Sequence, residues 1–313
     1  MRRVFLALML LAACAGTADD GPVENFAEIP EDPDPAEAIQ FVMPEWTVPA
    51  GEEKQMCWVP EWSPPEDMWV TGFEFSQGLG GHHLTTLRSN VPVPAGEMWD
   101  CTQLEAMTNL EPLVVTDGSS DGGFSGGGLG LLEEGFAFRM EEATTIVIQS
   151  HYVNYSQDDW LVRDVGRITL WNQPEEPQEA GYIILNHGSI DLDPGEGDAG
   201  TDCTLPVGQD FNLIMLFGHM HELGREIRIE AGLPGTEEEL YAIDDWEPDF
   251  RDLPPVTKWD SSDPVTLPGG SRFAVDCHFN NTRDHQVRFP EEMCVGVGIF
   301  YPVLDENVLI CSD

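Results

Sequence analysis

Positive charge is what this chain has least of. Its 313 residues carry 14 basic against 57 acidic side chains, a formal net charge of −43, and the only lysines are Lys54 and Lys258. Such a surface repels phosphate backbones, which excludes nucleic acid as a partner. Long amphipathic helical patterns are missing, and so are a Gly-x-Ser-x-Gly elbow, a Walker A loop and a dinucleotide fingerprint. No Cys-x-x-Cys step occurs, so the cysteines do not read as a zinc site. Carboxylates are so numerous that no acid pair stands out as a catalytic couple. Histidine is scarce as well, with eight residues in the chain.

Those few histidines are unevenly placed. His82 and His83 are adjacent, His151 ends the run Ile148-Gln149-Ser150-His151, and His219 and His221 flank Met220. Met293-Cys294 follows about seventy residues later. On an extended strand, residues i and i+2 share a face, so His219 and His221 can grip one ion while Met293 approaches from a distant strand. His82 and His83 would face opposite ways on a regular strand. Gly78, Gly80 and Gly81 precede them and offer a bend that turns both toward one ion, with His151 as third ligand. The result is two neutral sets, three imidazoles in one and two imidazoles with a thioether in the other. A thioether is a soft ligand that favours Cu(I) over zinc, so copper is the expected metal. His187 is a weaker candidate, while His278 and His285 flank a turn-like stretch and read as structural or solvated.

The rest of the chain sets the context. Arg2 and Arg3 precede the short apolar run Val4 to Leu11 and then Ala12-Ala13-Cys14, the shape of a secretory signal with a lipobox. Residues 1–14 are therefore expected to be a lipoprotein signal ending at lipidated Cys14, and residues 15–38 a disordered acidic tether. Six further cysteines suit an oxidising envelope compartment, and their spacing alone leaves fifteen pairings open. Short β-rich runs separated by Gly, Pro, Asn and Asp clusters predict an all-β protein of sandwich type. The polar stretch from Asn172 to Glu179 divides it into units at 39–173 and 180–313, and Asp117 to Gly130 reads as a glycine-rich surface loop.

With these residues in place the chain resembles the copper type II, ascorbate-dependent monooxygenases, which include peptidylglycine alpha-hydroxylating monooxygenase and dopamine beta-monooxygenase. The likeness rests on Gly81-His82-His83, Gln149-Ser150-His151-Tyr152, Gly218-His219-Met220-His221-Glu222-Leu223-Gly224, Cys277-His278-Phe279-Asn280 and Glu291-Glu292-Met293-Cys294-Val295. It implies two tandem jelly-roll-like β-sandwich domains with one copper each. His82, His83 and His151 would hold the electron-transfer copper; His219, His221 and Met293 would hold the dioxygen-binding one. Gln149 would assist electron passage or order the metal surroundings. The reaction implied is hydroxylation of a C–H bond with O₂ and electrons from ascorbate or a similar donor. The resemblance also implies the disulfides Cys57–Cys101, Cys203–Cys311 and Cys277–Cys294. Phe217 stands where the peptide-amidating branch has an arginine that clamps a carboxylate, and Val295 and Val297 replace polar or aromatic contacts. An apolar pocket at Phe217, Val295 and Val297, taking a neutral or cationic small molecule, is the expectation. The competing expectation is a non-catalytic copper-binding or copper-delivery lipoprotein, held in the bacterial envelope by its N-terminal lipid alone.

Overall fold

The computed structural model describes residues 21–103, 106, 109–114, 132–251, 254–289, 291–303 and 308–312. Cys14, the signal segment and the whole glycine-rich stretch from Asp117 to Gly130 lie outside the described residues. Strands dominate, and no α-helix occurs among the described residues. The period-two patterning explains why: in Gly224–Gly232, Ile227, Ile229 and Ala231 point inward and are buried while Arg228 and Glu230 face out.

In the first half of the chain, one five-stranded sheet runs Met98–Asp100, Glu53–Trp58, Thr145–Val153, Gly81–Ser89, Leu110–Val114 in spatial order. A second runs Gln178–Glu179, Phe136–Met140, Met68–Ser76, Val165–Leu170, Ala38–Val42. They face each other closely. A Cβ at Gly166 would lie 2.6 Å from the Phe73 ring in its own sheet and 3.1 Å from Leu84 in the opposite one. The second half repeats the arrangement. One of its sheets contains Phe211–His219, Val295–Tyr301, Gly181–Asn186 and Val308–Ser312; the other contains Gly195–Thr204, Arg272–Asn281, Gly224–Gly232 and Glu238–Ile243. Two β-sandwiches in tandem result, as the strand patterning predicts.

All three disulfides form as the resemblance implies, Cys57–Cys101, Cys203–Cys311 and Cys277–Cys294. The last two join the opposed sheets of the second sandwich, and Cys277–Cys294 fixes the chain immediately after Met293. The halves also touch. Phe138 stacks on Tyr182 with ring centroids 4.5 Å apart, and Phe136 meets Tyr301 at 5.0 Å.

Two boundaries need correction. The expected tether over 15–38 contains a strand, Val23–Phe26, which pairs in parallel with Trp160–Arg163, and Ala27 behind it is buried. Pairing with an open edge orders the short run Val23-Glu24-Asn25-Phe26, and the Asn25 side chain fixes it by bonding both the N–H and the carbonyl of Leu79. The expected linker ends in a second short strand, Gln178–Glu179, beside Phe136–Met140.

Candidate metal centres

The first centre is built on two neighbouring strands. His151 lies opposite His83, and the next pair is Tyr152 with Gly81, so His82 is the extra residue of a β-bulge. That bulge, more than glycine flexibility alone, lets adjacent histidines turn the same way. The glycines still matter. Gly80 has φ +74°, and a Cβ there would press within 2.6 Å of the Trp160 ring, while a Cβ at Gly81 would come within 2.4 Å of Gln77. Ring centroids of His151 lie 4.6 Å from His82 and 4.8 Å from His83, and the ligating atoms of the three all fall within 4.8 Å of one another. A single ion fits between them.

The protonation pattern favours a metal. His151 Nε2 sits 2.8 Å from the Glu53 carboxylate and, as donor to it, leaves Nδ1 as the lone-pair atom. That Nδ1 is buried with no hydrogen-bond partner, as expected of an atom reserved for an ion. Burial holds the His83 imidazole well below its usual range and lowers His151 also, so both rest in the neutral form that ligates. Gln149, two residues before His151 on the same strand, lines the cavity beside the triad, and its amide donates to Gln55 on the adjacent strand at 2.8 Å.

The second centre closes the Phe211–His219 strand. His219 and His221 bring their rings to 5.1 Å, roughly perpendicular, and Met293 joins them on the same cavity wall. His221 Nδ1 lies 3.0 Å from the Glu291 carbonyl, to which it donates, so Nε2 faces the cavity side. Desolvation depresses both rings, His219 well below normal and His221 to about 4, where the Arg251 guanidinium adds to the effect. A residue that sequence reasoning passed over supports this set. The Glu292 carboxylate is fully buried and accepts backbone N–H bonds from His221, from Leu223 at 2.9 Å and from Met293 at 3.0 Å. One side chain therefore ties the His-x-His turn to the methionine segment. Burial raises its carboxyl to about 7 despite those three donors.

Both centres open on one cavity of about 530 Å³, whose wall includes all six proposed ligands. Gln55, Thr102, Gln103, Gln149, Arg251 and Glu291 complete much of the rest, so the lining residues are polar apart from Met293. The apolar pocket expected at Phe217, Val295 and Val297 is not found there. Gly218 and Gly296 point into the sandwich interior, against Ile227 and Ile229, so alternation sends these three residues to the sheet's other face. On that face Tyr182 stacks on Phe138 of the first half. Phe217 and Val297 are buried, Val295 partly so, and none of the three lines the cavity. They are packing residues.

The remaining histidines stay apart. His278 is half exposed between Asp198 at 2.7 Å and Glu196 at 2.9 Å, which raise its pKa, and His285 is exposed beside Asp284. His187 donates its backbone N–H to the Cys294 carbonyl and does not line the cavity.

No protein-family model matches this chain, and no curated protein matches it. Among solved structures the chain is similar to that of infectious bursal disease virus Gx strain, at 6% identity, 88% of this chain, 76% of that one and a TM-score of 0.22. It is also similar to the VP2 subviral particle of infectious bursal disease virus, at 10% identity, 90% of this chain, 75% of that one and a TM-score of 0.23.

Proposed function

We propose that the protein is a copper-dependent monooxygenase that hydroxylates a C–H bond of a small organic substrate, using O₂ and electrons from ascorbate or a similar donor. One observation carries the reading: a set of three imidazoles and a set of two imidazoles with a thioether share one cavity. Copper held there would supply one-electron redox chemistry and a site for dioxygen. The residues do the rest. Burial keeps the His83, His151, His219 and His221 imidazoles neutral, Glu53 and the Glu291 carbonyl select which ring nitrogen faces the cavity, and Met293 supplies the soft donor. The Arg251 guanidinium is already engaged by Glu53 and Glu222, so the substrate class remains a neutral or cationic small molecule. The same reading places the chain in the bacterial envelope through a lipid on Cys14. Mass spectrometry of the native protein tests that point, and a free N-terminus at another residue would rule it out.

The decisive experiment is metal analysis with X-ray absorption on the reduced protein, followed by ascorbate-dependent oxygen uptake across candidate substrates. Two copper ions per chain are expected. Met293→Ala should remove the sulfur scatterer and weaken Cu(I) binding at one site, while His151→Ala should weaken the other. A sulfur signal that survives Met293→Ala would contradict the assignment. Two bound coppers with no substrate turnover would favour copper binding or delivery instead.

A further inference from the structure

Arg251 ends the 3₁₀ turn Pro248–Arg251 of the second half, and its side chain is only 12% exposed. Its guanidinium charge and backbone carbonyl both act on the His219 ring, the charge lowering its pKa and the carbonyl raising it. Its Nη1 lies 2.7 Å from Glu222, the neighbour of His221, and its Nη2 lies 2.5 Å from Glu53 Oε1 in the first half. That same Glu53 oxygen receives Nε2 of His151. One residue thus bears electrostatically on His219, pairs with the neighbour of His221, and reaches the third triad histidine through a single carboxylate. The aromatic contacts between the halves, Phe138 with Tyr182 and Phe136 with Tyr301, are nondirectional by comparison and involve no histidine.

We infer that Arg251 is a positioning residue for the first-half triad, acting through Glu53 to hold the His151 ring with Nδ1 turned to the metal. The inference rests on reading the two histidine sets as metal sites. A guanidinium suits the task because its rigid fork serves Glu53 and Glu222 at once, which a lysine ammonium does not. Without it Glu53, itself 43% exposed at the side chain, is free to turn to solvent, and the His151 ring loses the acceptor that fixes its tautomer. A change in one half therefore alters metal geometry in the other.

The test uses the full chain in two states. In the metal-free protein, long-range ¹⁵N–¹H spectra of the imidazoles report the tautomer of His151, which should be the Nε2–H form in the wild type. Arg251→Met and Glu53→Gln should each convert it to a tautomer mixture, the double variant should go no further, and Arg251→Lys should retain part of the wild-type signal. Arg228→Met, which breaks surface pairs with Glu239 and Asp244 in the same half, should change nothing. In the copper-loaded protein, Arg251→Met should shift the electron paramagnetic resonance of the triad copper and weaken its affinity about tenfold. An unchanged His151 tautomer and an unchanged triad signal in Arg251→Met would overturn the inference. A wild type that takes up no copper would sink the functional reading, while the imidazole spectra would still decide the role of Arg251.

Discussion

Glu292 shows how much a single buried carboxylate can organise. Three backbone N–H groups converge on it from two segments about seventy residues apart in sequence, those of His221, Leu223 and Met293. Bonds to an ionised acceptor are the stronger kind, and unmaking them in a buried place leaves N–H groups unpaired. Glu292→Ala should therefore loosen Met293 and His221 together. The expected outcome is a loss of about 10–100-fold in Cu(I) affinity at that centre, with Glu292→Gln in between because the amide accepts but also presents a donor. Competition against a Cu(I) chelator measures it, and wild-type affinity in Glu292→Ala would remove Glu292 from the site. The candidate ligands were legible in the sequence because histidine is rare enough for clusters to be visible. Glu292, Glu53 and Arg251 were not, since with 57 acidic residues no carboxylate is distinguished until the fold gives it partners, and the partners of Arg251 lie far off in sequence. Phe217, Val295 and Val297 misled for a related reason. Position relative to a ligand says which strand a residue occupies, but only the packing of the two halves says what that face meets.

Among the elements, the strand Thr145–Val153 does the most, since it carries Gln149, Ser150, His151 and Tyr152 through the middle of its sheet. Its own anchor lies on the face away from the triad. Asp164, fully buried between two strands, accepts from the Ser150 and Tyr152 hydroxyls, and Tyr152 also accepts from the Gly78 N–H just ahead of the bulged histidine strand. Burial raises the Asp164 carboxyl from 3.8 to about 6, the hydroxyl bonds opposing this only in part. A carboxyl whose folded pKa exceeds its unfolded one binds its proton better when folded. Its stabilising contribution is complete below about pH 4 and is lost as pH climbs through about 6. A shift of this size corresponds to about 3 kcal/mol. Asp164→Asn cannot ionise, so between about pH 4 and about pH 7 it should lose less stability than the wild type by up to that amount. Urea unfolding at both pH values gives the comparison, and a variant that loses more would reverse the argument. Strand periodicity made these elements readable from sequence alone. The strand Val23–Phe26 was hidden because its neighbours are acidic and proline-bearing, and what orders it is a partner edge 137 positions onward, Val23 against Trp160.

At the scale of the whole molecule, charge is the dominant unpaired quantity. Even if each of the 14 basic residues neutralised one of the 57 acidic ones, 43 carboxylates would remain without a cation. The pairs that do form are mostly at the surface, as with Arg139–Asp67 and Arg288–Asp191, where water and salt screen them and they add little to stability. Repulsion among the leftover carboxylates therefore outweighs attraction, and folding concentrates that repulsion by drawing the charges together. Salt screens both, shortening the Debye length from about 30 Å at 0.01 M to about 3 Å at 1 M. The long-range repulsion fades first, whereas short contacts such as Arg251–Glu53 at 2.5 Å are screened less. Added salt should consequently stabilise the protein, by an amount on the order of 1 kcal/mol and a rise of about 2–4 °C in Tm. Thermal unfolding in sodium and potassium chloride at one pH measures the effect, and equal responses to the two salts would identify screening as its cause. A falling Tm would mean instead that the surface ion pairs outweigh the surplus of carboxylates in setting the stability of the fold.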